Sequence, residues 1–148
     1  MSEQVLHFTR TFDAPRQLVF SCMIEPEHLT HFWGPTGTSA PLDQITVEAR
    51  PGGAFRTVMV NDADGNTYPT SARYLEVSPP ELLSWVEDSS GMTVTATFTD
   101  LGGDRTQVDI EQTNVPARMM DPAAQAGFLT SLDRFAAHLA DLTRAERS

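Results

Sequence analysis

The chain has 148 residues, 40% of them hydrophobic and 20% charged, which fits one folded domain with a single core and excludes the disordered and collagen-like classes. A formal net charge of −10 repels phosphate backbones and anionic lipid surfaces, so nucleic acid is not an expected partner. With Cys22 as the single cysteine and no run near the ~18 apolar residues of a membrane span, an internal disulfide, a thiolate metal cluster and membrane insertion are disfavoured, and a reducing cytoplasm is the expected compartment.

The start MSEQVLHFTRTF carries no basic segment followed by an apolar run, so no export signal is expected. Leu6, Phe8 and Phe12 lie on one side with Thr9 and Thr11 opposite, the period of a half-buried strand over 5–12. Asp13-Ala14-Pro15 ends that strand, and Asp13 is the expected cap of a helix that starts near Pro15 and buries Leu18, Val19, Phe20 and Met23. A second short helix begins at Pro26, carries Leu29, Phe32 and Trp33, and stops at Gly34-Pro35. Residues 34–42 read as a loop.

From there to Thr113 the sequence is a run of strands separated by turn chemistry. Ile45, Val47 and Ala49 alternate before Pro51-Gly52-Gly53; Phe55, Thr57 and Met59 then alternate with Arg56, Val58 and Val60, and which set faces inward is ambiguous. A longer strand over 67–77 must place Pro69 at an edge or bulge, because proline cannot donate to the ladder. Leu83, Trp85 and Glu87 share a face of the next strand, and Met92, Val94, Ala96 and Phe98 oppose four threonines in the one after it. In the last strand Val108, Ile110 and Gln112 point inward, Asp109 and Glu111 to water.

A loop through Asn114 and Met120 leads to Asp121-Pro122, a cap residue followed by proline at the first helical position. Phe128, Leu132, Phe135, Leu139 and Leu142 then recur at spacings of 4, 3, 4 and 3, an apolar stripe with Asp133, Arg134 and Asp141 away from it. The tail from Arg144 to Ser148 is expected to fray. The order predicts an α+β fold over 1–148, ordered over about 5–142: a curved antiparallel sheet of about seven strands wrapped around a long C-terminal helix, with two short helices after the first strand. Where the helix does not fill the curved sheet, a pocket is expected, rimmed by the short helices and their loops.

Few residues carry a chemical signal of their own. His28 and His31, three apart on a predicted helix, would offer two zinc ligands, but no third His or Cys lies at a useful spacing, so they read as a solvated helix face. Asp62, Asp64, Gly65 and Asn66 have the wrong glycine offset for a calcium loop and read as a hairpin turn. Cys22, beside Met23 on the buried side of its helix, reads as a packed thiol rather than a nucleophile. Glu87 is either wet at a bending strand end or a pocket carboxylate, and an inward Gln112 must find hydrogen bonds from protein or ligand. No Gly-x-Ser-x-Gly elbow, phosphate loop or dinucleotide fingerprint occurs, and neither a catalytic residue, a metal nor a cofactor is assigned.

The segments FDAP, EPEHLTHFWGP, ARPGGAFR, YLEVSPPELL, VTATF and GFLTSLDRFAAHL, in that order between Val5 and Leu142, resemble the activator of heat-shock protein 90 ATPase homologue family of the START-like helix-grip superfamily. This chain departs from the family pattern at four places. Phe32-Trp33 stands for two adjacent tryptophans, Glu87 for an inward aromatic, Gln112 for a histidine and Phe128 for a tryptophan, which suggests a more polar cavity floor. The resemblance implies small apolar or aromatic ligands for some members and co-chaperone activity for others. The expected function is binding or sequestering of a small hydrophobic ligand by Phe32, Trp33, Met59, Trp85, Glu87, Phe98, Gln112, Phe128 and Leu132. The alternatives are a chaperone as protein partner, and an enzyme using Glu87 or Cys22 on a small hydrophobic substrate; homodimer formation is left open.

Overall fold

Strand β1 (Leu6–Phe12) leads into two short helices, α1 (Arg16–Ile24) and α2 (Pro26–Phe32), in a computed structural model that describes residues 5–147. Seven strands follow: β2 (Thr38–Ser39), β3 (Thr46–Val47), β4 (Ala54–Asn61), β5 (Thr67–Ser78), β6 (Leu82–Glu87), β7 (Thr93–Gly102) and β8 (Arg105–Thr113). The chain closes with α3 (Pro122–Arg147). All pairings are antiparallel in the order β1-β8-β7-β6-β5-β4-β2, with β3 also on β4. This is the helix-grip architecture expected from the sequence, with eight strands rather than about seven because two-residue β2 pairs Thr38 with Asn61 and Ser39 with Val60.

The period-2 residues build the inner face as their spacing predicts. Val94, Ala96 and Phe98 of β7 and Val108, Ile110 and Gln112 of β8 are all buried. On β4 the ambiguity resolves toward Phe55 and Thr57, both buried, while Arg56 is exposed. Pro69 pairs with Val58 on one side, and on the other β6 begins to pair only at Ala72, so the proline is flanked by a single strand. Against this face lie Leu132, Phe135 and Leu139 of α3, each no more than 7% exposed. Asp121 caps that helix, its Oδ1 accepting from the Ala123 amide at 2.9 Å.

Several local expectations are corrected. Asp13 does not cap α1; Pro15 occupies the cap position without a side-chain bond, and Asp13 faces Arg105 at 3.4 Å. Residues 34–42 are not a plain loop, since they contain β2, and a 3-10 turn follows at Leu42–Gln44. The strand expected over 45–49 shrinks to Thr46–Val47, and the 113–120 loop contains a 3-10 turn at Ala117–Met120. Helix α3 extends through Arg147; Ser148 lies outside the described residues. Arg134, off the apolar stripe as expected, donates through its guanidinium to the carbonyls of Gly34 (2.8 Å) and Pro35 (3.1 Å).

Among the described residues one fully sealed side-chain polar atom has no partner. The Tyr74 hydroxyl is sealed from solvent and makes no hydrogen bond among the described residues, and burial raises its pKa well above the phenol range. The ring is well placed, stacked on Phe55 at 5.5 Å. Tyr74→Phe keeps that packing and removes the unpaired hydroxyl, so it is expected to raise stability by about 1 kcal/mol in urea unfolding. A loss of stability would show that the hydroxyl has a partner after all.

Candidate ligand cavity

The gap between α3 and the sheet is a cavity of about 430 Å³. Its floor is the inner sheet face: Phe12 of β1, Trp85 and Glu87 of β6, Val94 and Ala96 of β7, and Val108, Ile110 and Gln112 of β8. Its roof is α3, through Ala124, Gly127, Phe128, Ser131, Leu132 and Phe135. The rim is Met23 of α1, Phe32, Trp33 and the Gly34-Pro35 turn after α2, and Met119 before α3. Eight of the nine residues expected from sequence therefore surround one volume: Phe32, Trp33, Met59, Trp85, Glu87, Gln112, Phe128 and Leu132.

Phe98 is the exception. It faces inward as its strand pattern predicts, but four residues along β7 from Val94 it packs edge-on against Phe20 of α1 at 5.2 Å. Alternation identifies a face, and the position of α1 decides which part of that face is covered. Conversely, Met23, Met119, Ser131 and the Gly34-Pro35 turn are wall residues with no signal in the sequence beyond a place on an apolar face or in a loop.

The rim is fixed by defined contacts. Gly34 has φ +94°, and a Cβ there would come within 2.6 Å of Thr38 Oγ1 and 2.9 Å of Met59 Sδ, so only glycine fits the end of α2. Arg134 holds the Gly34 and Pro35 carbonyls, and the Thr36 amide donates to Thr130 Oγ1 at 3.0 Å, which binds this turn to α3. Trp33 is oriented by its indole N–H, which donates to Thr57 Oγ1 at 3.1 Å, while Thr57 exchanges a 2.6 Å bond with Thr70. Its ring meets Phe55 at 5.1 Å and Trp85 at 6.3 Å, forming an aromatic corner of the wall.

Two polar groups face this apolar volume. Glu87 is half-buried on the cavity wall, with Ser90 Oγ donating to its Oε1 at 3.1 Å. Gln112 is 4% exposed on the cavity wall, and its polar atoms are not sealed as the Tyr74 hydroxyl is. A buried amide offers two donors and an acceptor that water or a ligand must satisfy. Cys22 lies apart from both groups, fully buried outside the cavity lining, its thiol pushed up to about 12 by burial and by the Glu25 carboxylate. The arrangement thus supports recognition of a largely apolar molecule with a polar end.

A model of the family described as activator of Hsp90 ATPase homolog 1-like protein matches residues 13–140. The chain belongs to that family. A comparison with curated proteins gives no match. Among solved structures, a protein from Chromobacterium violaceum superposes with a TM-score of 0.81 at 24% identity, over 92% of this chain and 97% of its own. A Nitrosomonas europaea protein matches at 0.81 and 24% over 95% and 96%, and the AHSA1 protein from Silicibacter pomeroyi at 0.76 and 24% over 93% and 98%. At these identities the neighbours establish the helix-grip fold that the family members share. Among the described residues, no helix is long and apolar enough to cross a membrane.

Proposed function

We propose that this family member binds a small, largely hydrophobic or aromatic molecule in the cavity beneath α3, with its polar end toward Gln112 and Glu87. The observation that carries the reading is a volume of about 430 Å³, within the usual range of ligand sites, whose mostly apolar wall carries the Gln112 amide and the Glu87 carboxylate. A cavity kept only by imperfect packing would be small and wholly apolar, because an unsatisfied polar side chain inside it costs stability.

Trp85 is the natural reporter, being 6% exposed and on the cavity floor. Titrating aromatic and fatty probes into wild type, Trp33→Phe and Trp85→Phe is expected to shift the emission of Trp85 saturably in the first two proteins. Glu87→Gln is expected to weaken polar-headed probes while leaving apolar ones unchanged. If no probe perturbs Trp85 in correctly folded protein, the ligand reading falls, and the chaperone-partner reading suggested by the family takes its place.

A further inference from the structure

Three of the four histidines and the only cysteine converge on one spot away from the cavity, where α1, α2 and α3 meet. Ligand atoms of Cys22, His28 and His138 all lie within 4.8 Å of one another. His28 Nδ1 and His138 Nε2 are 2.9 Å apart, and the His31 ring stacks on His138 at 4.6 Å with 14° between planes. The sequence reading of a solvated face holds for His31, which is exposed, whereas His28 is half-buried and meets Cys22 from α1 and His138 from 110 residues away on α3.

Backbone geometry explains the convergence. Only Glu25 separates α1 from α2, and its carbonyl accepts from the amides of both His28 and Leu29 at 3.0 Å, which starts α2 directly after α1 ends. His28, His31 and Phe32 have the i, i+3, i+4 spacing of one helix face. Phe32 stacks on Phe135 at 4.1 Å, and one turn further along α3 His138 meets the two histidines. The Phe32–Phe135 pair lines the cavity, whereas Cys22, His28 and His138 do not.

We propose that Cys22, His28 and His138 form a binding site for a borderline-soft divalent d-block ion, Zn²⁺ foremost, with a fourth position left for water. Thiolate with imidazole is the donor set such ions select, and three protein ligands with one open position is a recurrent zinc arrangement. The spacing fits with small movements. Tetrahedral zinc at its usual bond lengths sets its nitrogen ligands about 3.3 Å apart and nitrogen and sulfur about 3.6 Å apart. His28 and His138 must open slightly from 2.9 Å, and the thiol must close by at most about 1.2 Å from the 4.8 Å limit.

The protons balance simply. Above the histidine pKa each imidazole carries one N–H; binding moves those to His28 Nε2 and His138 Nδ1, freeing the facing nitrogens, and the Cys22 proton leaves to solvent. One proton is released per ion. Burial, then the neighbouring His31 and His28, lower the pKa of His138. Burial that raises the thiol pKa opposes binding, and the charge of the ion itself reverses that penalty.

Co²⁺ titration of the chelator-stripped, fully reduced chain tests this. Wild type is expected to bind one equivalent with a thiolate-to-cobalt charge-transfer band, and Zn²⁺ to displace it and raise Tm. Cys22→Ala is expected to lose the band, and His28→Gln and His138→Gln to weaken binding by at least 100-fold, each checked by circular dichroism. His7→Gln, on β1, and His31→Gln are expected to stay within about tenfold of wild type. Absence of the band in wild type at one equivalent overturns the site, whatever the variants do. So does a band of unchanged affinity in both His28→Gln and His138→Gln. Neither result bears on probe binding at Trp85.

Discussion

Phe135→Ala is expected to cost about 3–5 kcal/mol, at the upper end for a core truncation. The ring is 2% exposed, stacked on Phe32 at 4.1 Å and tilted against Phe12 at 4.9 Å, so it joins α3 to α2 and to β1 at once. It also borders the cavity. The space left by truncation merges with a volume the surroundings already fail to fill, so little relaxation offsets the lost contacts. Urea unfolding should show a lower midpoint at an unchanged m-value, whereas Leu129→Ala, 45% exposed on the same helix, should stay within about 0.5 kcal/mol of wild type. A loss below about 1 kcal/mol for Phe135→Ala would contradict the packing of α3 as the roof of the sheet.

A comparable loss, about 3 kcal/mol or more, is expected for Gly53→Ala, and much less for its neighbour Gly52→Ala. A Cβ on Gly53 would lie 2.0 Å from the Glu48 carbonyl oxygen and 2.9 Å from that of Arg50. These are backbone atoms with no freedom to move aside. Glu48 N–H is bonded to Ala54, Arg50 N–H to Glu48 and Gly53 N–H to Arg50 at 2.7–2.8 Å, while Gly53 O accepts from Tyr74 at 2.9 Å. Relieving the clash breaks part of that ladder, which holds β4 and, through Phe55 and Thr57, the Trp33 corner of the cavity. Gly52 has φ +81° with open space around its Cβ position, so alanine there carries only the left-handed strain of about 1–2 kcal/mol. Thermal unfolding of the two variants side by side separates the cases; equal effects would place the constraint in the turn conformation rather than in the backbone approach.

The adjacent glycines show where sequence reading runs out. Pro51-Gly52-Gly53 marks a turn on chemistry alone, but which glycine is indispensable depends on a carbonyl five residues earlier that folds back across it. Arg134 behaves alike: its place off the apolar stripe is correct, yet its guanidinium spans the rim to carbonyls about 100 residues away. Phe98 was legible as inward-facing and illegible as capped by Phe20, because strand period carries no information about which helix lies above a given position.

Local periodicity and turn chemistry determined the order of the longer elements, the inward faces of β7 and β8, the α3 stripe and hence the helix-grip class, because each depends on residues within a few positions of one another. The aromatic and polar wall residues on those faces followed from the same signal. Tertiary structure alone decided that Gln112 faces the cavity, that the Tyr74 hydroxyl is sealed with no partner among the described residues, and that Cys22, His28 and His138 meet. Those facts arise from the packing of segments far apart in the chain, where the closing of one helix over another fixes distances that no spacing along the sequence encodes.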